Sequence, residues 1–219
     1  MKELLPAFQD SIFDSTLADS AIDIAEMALD TILVNGVLQE IPIVKTIIGV
    51  GKFVYTVRDR NFLKQTFAFF KHLHDGSISS SEFSKYRREL EADSVKAERE
   101  LSRVMILLDK TIDTDKAEDL ASFYKAYIKN DIFWDDFCEL SEALNRMFIS
   151  DRILLFDLSE GRKNLTYDNG GYSVDRLISI GLIQNPSIGM SMKYNVSPIS
   201  QSRLKLTTLG TMYIKFTSI

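Results

Sequence analysis

Apolar residues recur at intervals of three and four along the chain as far as Leu158, separated by short polar breaks, a pattern that predicts consecutive amphipathic helices. Ser20 is placed to cap a helix through Ile22, Ala25, Leu29 and Leu33, with Asn35-Gly36 as its stop. Pro42 then opens a segment to Val57 that is apolar nearly all round, interrupted only by Lys45, Thr46, Lys52 and Thr56. A helix with so narrow a wettable stripe must be covered by the protein's own core or by lipid. Ile43, Ile47, Val50 and Val54 mark it as the expected central helix. Arg58-Asp59-Arg60 reads as a salt-bridged polar turn before an aromatic helix that carries Phe62, Leu63, Phe67, Phe69, Phe70 and Leu73. Ser79 and Glu82 have capping-box spacing and start one long charged helix through Leu90, Val95, Leu101 and Met105 to Leu108. Asp113 or Thr114 starts another, ending near Asn130, and a further helix holds Trp134, Phe137, Leu140, Leu144 and Phe148.

The character of the chain changes after Ser159, where Glu160-Gly161-Arg162-Lys163-Asn164 and Asp168-Asn169-Gly170-Gly171 bracket a short polar connection. The pattern predicts an all-helical domain over residues 1–159 and a small α+β domain over 171–219, a mainly α protein. In the second domain Ser173 is placed to cap a helix from Val174 to Ile180 closed by Gly181. Met190 to Val196 and Arg203 to Thr207 read as two strands, and Thr208 to Phe216 as a final helix. Leu177-Ile178-Ser179-Ile180-Gly181-Leu182-Ile183, followed by Tyr194-Asn195-Val196 and then Leu204-Lys205-Leu206-Thr207-Thr208-Leu209-Gly210, resembles the end of a winged helix-turn-helix domain. The resemblance implies a recognition helix bearing Asp175, Arg176 and Ser179 and a wing bearing Lys193, Arg203 and Lys205. One arginine beside an aspartate is thin for reading DNA. The apolar Ile188, Met190 and Met192 near the wing form an expected protein-interaction surface.

Charge sharpens the division. Net charge is −5, yet from Gly171 onward one acid, Asp175, meets five bases, Arg176, Lys193, Arg203, Lys205 and Lys215, so the tail carries +4 and the rest −9. Hydrophobic residues make up 45% and charged residues 26% of the 219, which is enough apolar surface to fold without disorder. The single cysteine, Cys138, excludes an intrachain disulfide, and the first residues lack the basic start and apolar run of a signal peptide, so a cytoplasmic protein is expected.

No cofactor or catalytic constellation emerges. Asp75-Gly76-Ser77-Ile78-Ser79-Ser80-Ser81-Glu82 looks like the second half of a calcium loop, but Lys71 and Leu73 stand where the first oxygen ligands belong. A second copy of the segment, Phe123-Tyr124-Lys125 through Lys129-Asn130-Asp131-Ile132 to Phe137, points to a duplicated helix-turn-helix unit. His72 and His74 lack companions for a zinc site, Cys138 lies on an apolar face, and Gly49-Val50-Gly51-Lys52 lacks the glycine spacing of a phosphate loop.

Pro42 to Val57 would span only about 24 Å as a helix, short of the roughly 30 Å hydrocarbon core, so a simple membrane span is not expected. The run Ile41-Pro42-Ile43-Val44 to Gly51-Lys52, followed by Arg58-Asp59-Arg60-Asn61-Phe62-Leu63-Lys64-Gln65, resembles uncharacterised bacterial helical proteins and the abortive-infection alpha type of phage-defence protein. That resemblance implies a defence setting and no chemistry. The expectation is a non-enzymatic interaction or adaptor protein that binds a protein partner or itself. A DNA-binding regulator and a membrane-acting effector are the competing classes.

Overall fold

The computed structural model describes residues 4–14, 41–49, 56–162, 171–185 and 204–217. The protein is mainly α, with ten helices among these residues and one two-stranded antiparallel sheet near the C-terminus. Its packing divides into two compact units, Met1–Phe133 and Trp134–Ile219. That division falls earlier than the change in composition after Ser159, because the helices that follow Phe133 pack with the C-terminal elements.

The first unit contains α1 (Leu4–Ile12), α2 (Pro42–Gly49), α3 (Val57–Leu73), α4 (Ser80–Ala92), α5 (Ser94–Lys110) and α6 (Thr114–Ile128). Its most extensive packing is α3 on α6, which buries Phe67, Phe69, Phe70 and Leu73 against a face that includes Phe123 and Tyr124. The apolar helix is seated on α1 with Ile43, Val44 and Ile47 buried. Ser11 of α1 joins the two: its hydroxyl donates to Ala7 O at 2.8 Å and accepts from Ile43 N at 3.0 Å, satisfying one of the orphan N–H groups of the first turn of α2.

Two predicted helices end sooner than their hydrophobic pattern suggests, each at a residue that prefers to cap. Thr56 is extended (φ −70°, ψ 156°) and forms a capping box with Asp59, so the apolar helix does not continue to Val57, which is 86% exposed. Arg58-Asp59-Arg60 is accordingly the first turn of α3 and not a separate bend, with Arg58 paired to Asp109. Asp93 (φ −133°, ψ 93°) breaks the long charged helix into α4 and α5, its Oδ1 accepting from Lys96 N at 2.9 Å. The Ser79–Glu82 capping box forms as its spacing predicts, with Ser79 N donating to Glu82 Oε2 at 2.7 Å. Val50, Val54 and the helix expected after Ser20 lie outside the described residues.

The duplicated motif has a backbone counterpart. Gly76 and Asn130, at equivalent places in the two copies, both adopt positive φ (86° and 61°), and the isoleucines that follow, Ile78 and Ile132, are both buried. Asn130 is the one non-glycine residue with positive φ among the described residues, and asparagine tolerates that conformation better than most side chains.

A polar knot ties α4, α5 and α6 inside this unit. Glu100 is fully buried and accepts from Tyr86 Oη at 2.9 Å and Tyr127 Oη at 2.7 Å, while Tyr124 Oη, 2.5 Å from Tyr86 Oη, completes the chain. Burial first, and the Glu100 charge with it, pushes all three phenols well above their ordinary value, which keeps them neutral donors. The carboxylate is thereby satisfied where no water reaches it.

Ile47→Asp places an unpaired charge against α1. It is expected to cost about 3–5 kcal/mol, a large part of a typical total of about 5–15 kcal/mol. Thermal unfolding followed by circular dichroism checks this, and a fully folded variant with unchanged melting would remove Ile47 from the core.

Candidate functional site

The second unit contains α7 (Trp134–Arg146), α8 (Ile149–Ser159), α9 (Gly171–Ser179), β1 (Ile183–Gln184), β2 (Lys205–Leu206) and α10 (Thr208–Phe216). Helix α8 is its hub, packing on α9, β2 and α10. The strands pair in the register Ile183 with Leu206 and Gln184 with Lys205. The sequence pattern finds β2 and α10 but misses β1, whose two residues are too few to alternate, and it starts α9 three residues late, with Ser173 as cap instead of inside the helix. Met190 to Val196, the other predicted strand, lies outside the described residues.

The Gly-Leu-Ile and Thr-Thr-Leu-Gly strings meet in space. Gly181 (φ 79°) ends α9, and Leu182 N bonds back to Leu177 O at 3.0 Å. Thr207 then caps α10 by accepting from Gly210 N at 3.0 Å, donates from its hydroxyl to Gly181 O at 2.5 Å and bonds through its own N to Leu182 O at 3.0 Å. Gly210 lies so close to this turn that a Cβ there would stand 2.0 Å from Leu182 O. Only glycine fits, and the helix–turn–strand frame closes around it.

On this frame α9 presents its side chains. Val174 and Leu177 are buried against the unit, while Asp175 and Ser179 are exposed, the Ser179 hydroxyl donating to Arg176 O at 2.8 Å. Arg176 makes a bidentate pair with the fully buried Asp151, Nε to Oδ2 at 2.8 Å and Nη2 to Oδ1 at 2.7 Å, and its guanidinium lies 4.7 Å from the centre of the Phe148 ring. Asp151 also accepts from Phe148 N at 2.8 Å, closing the first turn of α8. Burial alone would raise this carboxyl, but Arg176, the Phe148 N–H and Ser173 together outweigh it and hold it below its ordinary value. Withdrawing Arg176 to a phosphate would strand a buried carboxylate at a cost of about 3–5 kcal/mol. The face therefore shows Tyr172, 84% exposed and one turn before Arg176, and Phe148, 61% exposed, with the arginine's charge already matched.

Of the other sequence-predicted contacts, Lys205 is exposed on β2, whereas Lys193, Arg203, Ile188, Met190 and Met192 lie outside the described residues. The apolar pattern seats Phe148 on the helix of Trp134 and Leu144, but α7 ends at Arg146 and Phe148 is the N-cap of α8, 61% exposed. Tyr172 escapes sequence reading because an exposed aromatic leaves no periodic signal.

His72 Nε2 is 2.8 Å from Ser122 Oγ, and His74 stacks on Phe83. No cluster of three or more potential metal ligands occurs among the described residues. Cys138 is half-buried on α7. Asp75 accepts from Ser77 N at 2.9 Å and from Lys125 Nζ at 2.7 Å, so the loop that looks like half a calcium site is pinned by a lysine. No helix among the described residues is long and apolar enough to cross a membrane. No family model, curated protein or solved structure matches the chain.

Gly210→Ala is expected to destabilise the second unit by about 1–3 kcal/mol or more through overpacking, exceeding Thr207→Ala at about 1 kcal/mol. Urea unfolding followed by fluorescence of Trp134, the chain's single tryptophan, reports on this unit. In the first unit, partial burial raises the Asp75 carboxyl but its bonds to Lys125 and Ser77 prevail and bring it down to about 2, against an ordinary 3.8. A depressed carboxyl adds stability that is present above its ordinary value and lost as pH falls through the folded one. Acid titration of the melting temperature should thus steepen between about pH 4 and 2, and Asp75→Asn should flatten that limb.

Proposed function

We propose that this chain is a non-enzymatic interaction protein whose C-terminal unit is a winged-helix-like module that docks on protein and not on DNA. Three helices, a tight glycine turn and an antiparallel strand pair, in the order α7, α8, α9, β1, β2, support the module. The observation that carries the docking is the Asp151–Arg176–Phe148 group: the arginine of the would-be reading helix is neutralised inside its own unit, and exposed Tyr172 and Phe148 flank it. Tyrosine, arginine and a second aromatic around a half-buried ion pair have the composition of an interface hot spot, whereas DNA readers need several free phosphate-neutralising bases. A bacterial phage-defence setting follows from the resemblance of residues 41–65 to the abortive-infection alpha type.

Expression of the chain in a bacterial host challenged with phage tests the reading. Tyr172→Glu is expected to abolish protection while leaving the melting temperature unchanged, and Lys205→Ala is expected to retain it. Fluorescence anisotropy with double-stranded DNA supplies the opposing arm. Sub-micromolar binding that weakens steeply with salt and disappears when Lys193, Arg203 and Lys205 are replaced together would overturn the proposal in favour of a DNA-binding regulator. Arg176 stays out of that triple variant because its loss would disturb Asp151 and the fold.

A further inference from the structure

The first unit carries a cleft of about 230 Å³ beside the C-terminal end of α1, walled by Phe13, His74 and Phe83 and rimmed by Ser80, Ser84 and Arg87 of α4. We propose that this cleft binds a small aromatic monocarboxylate, its ring against the aromatic wall and its carboxylate on Arg87 and the two serine hydroxyls. The cleft is lined by residues of the first unit alone, and the inference does not rest on the function proposed for the second.

The wall is built from rings in two orientations. His74 stacks on Phe83 with centroids 5.3 Å apart and planes 15° apart, and Phe13 meets Phe83 edge-on at 6.3 Å and 85°. Such a corner offers both a face and an edge to an incoming ring. Burial, the largest influence on it, lowers the His74 pKa, so at neutral pH the imidazole adds aromatic surface and no charge.

Charge comes from Arg87, the one guanidinium among the lining residues, which lies 5.5 Å from the Phe13 ring centre. Its Nε bonds to Glu91 at 2.9 Å, with both side chains more than half exposed, an ion pair of little strength. Its two Nη groups make no hydrogen bond among the described residues, leaving donors in the planar fork that suits a carboxylate. Ser80 and Ser84 precede it at helical spacing on the same face of α4, so three donors follow one edge of the cleft.

Size and surroundings narrow the ligand. The volume lies below the roughly 300 Å³ at which sites for drug-sized molecules begin, so the cleft has room for a single ring with its substituent at the open rim. Asp14 and Asp75 act on His74 and Glu91 flanks Arg87, a local field that disfavours a dianion such as a phosphate monoester more strongly than a single negative charge.

Benzoate, titrated into the full chain and followed by amide chemical shifts, is the test. It is expected to shift the amides of residues 80–87 and to saturate with an affinity on the order of 1 mM, as suits so few heavy atoms. Arg87→Gln should weaken it at least about tenfold, and Ser84→Trp, which fills the cleft without touching the charge, should abolish it. Both positions are solvent-exposed, so the fold is retained. Benzamide, which keeps the ring, and cyclohexanecarboxylate, which keeps the charge, should each bind more weakly than benzoate. Absence of saturable binding, unchanged affinity in Arg87→Gln or equal binding of cyclohexanecarboxylate would overturn the proposal.

Discussion

One buried carboxylate governs the C-terminal unit. Asp151 has no exposure to water, and a carboxylate in that position is tolerable only if every strong acceptor site finds a donor. It finds them in the Phe148 N–H of its own helix and in the guanidinium of Arg176 on the next, so one side chain both closes the first turn of α8 and fixes α9 against it. The consequence for recognition is direct. The arginine that a sequence pattern assigns to a ligand belongs to the architecture, and the exposed aromatics near it are Tyr172 and Phe148.

Glu100 solves the same problem in the N-terminal unit with different chemistry. Where Asp151 is matched by a cation, Glu100 is matched by neutral phenols from α4 and α6, with Arg99 Nη2 at the longer distance of 3.5 Å. Burial keeps those phenols protonated, so the hydrogen bonds persist without a second full charge in the core. Both units thus use a charged residue as a junction between helices, and both meet its demand for partners from elements distant in sequence.

That distance separates what was legible in the sequence from what was not. Local rules found the Ser79–Glu82 cap, the closing glycine of α9, the Thr208 start of α10 and the matching turns at Gly76 and Asn130, because each depends on neighbours within a few residues. They failed at Thr56 and Asp93, where a hydrophobic pattern continued across a residue whose side chain caps a new helix. They could not find the Asp151–Arg176 pair, the close approach of Gly210 to Leu182 or the Glu100 knot, since nothing near any one of these residues announces its partner. Among the described residues the aromatic helix α3, seventeen residues long, makes the most extensive helix–helix contact of its unit, with α6.

The twin turns at Gly76 and Asn130 bear on how the chain can be cut. The first turn leads from α3 into α4 within a single compact unit, while its counterpart leads from α6 to the threshold of α7, at the junction between Phe133 and Trp134. The internal repeat and the packing boundary are therefore out of phase. A fragment ending at Phe133 respects the packing and bisects the second repeat, whereas a fragment designed around intact repeats would carry α7 away from the helices that cover Phe137, Leu140 and Leu144. The two turns share a local geometry, and the hydrophobic faces of the later helices group α7 with the elements that follow it.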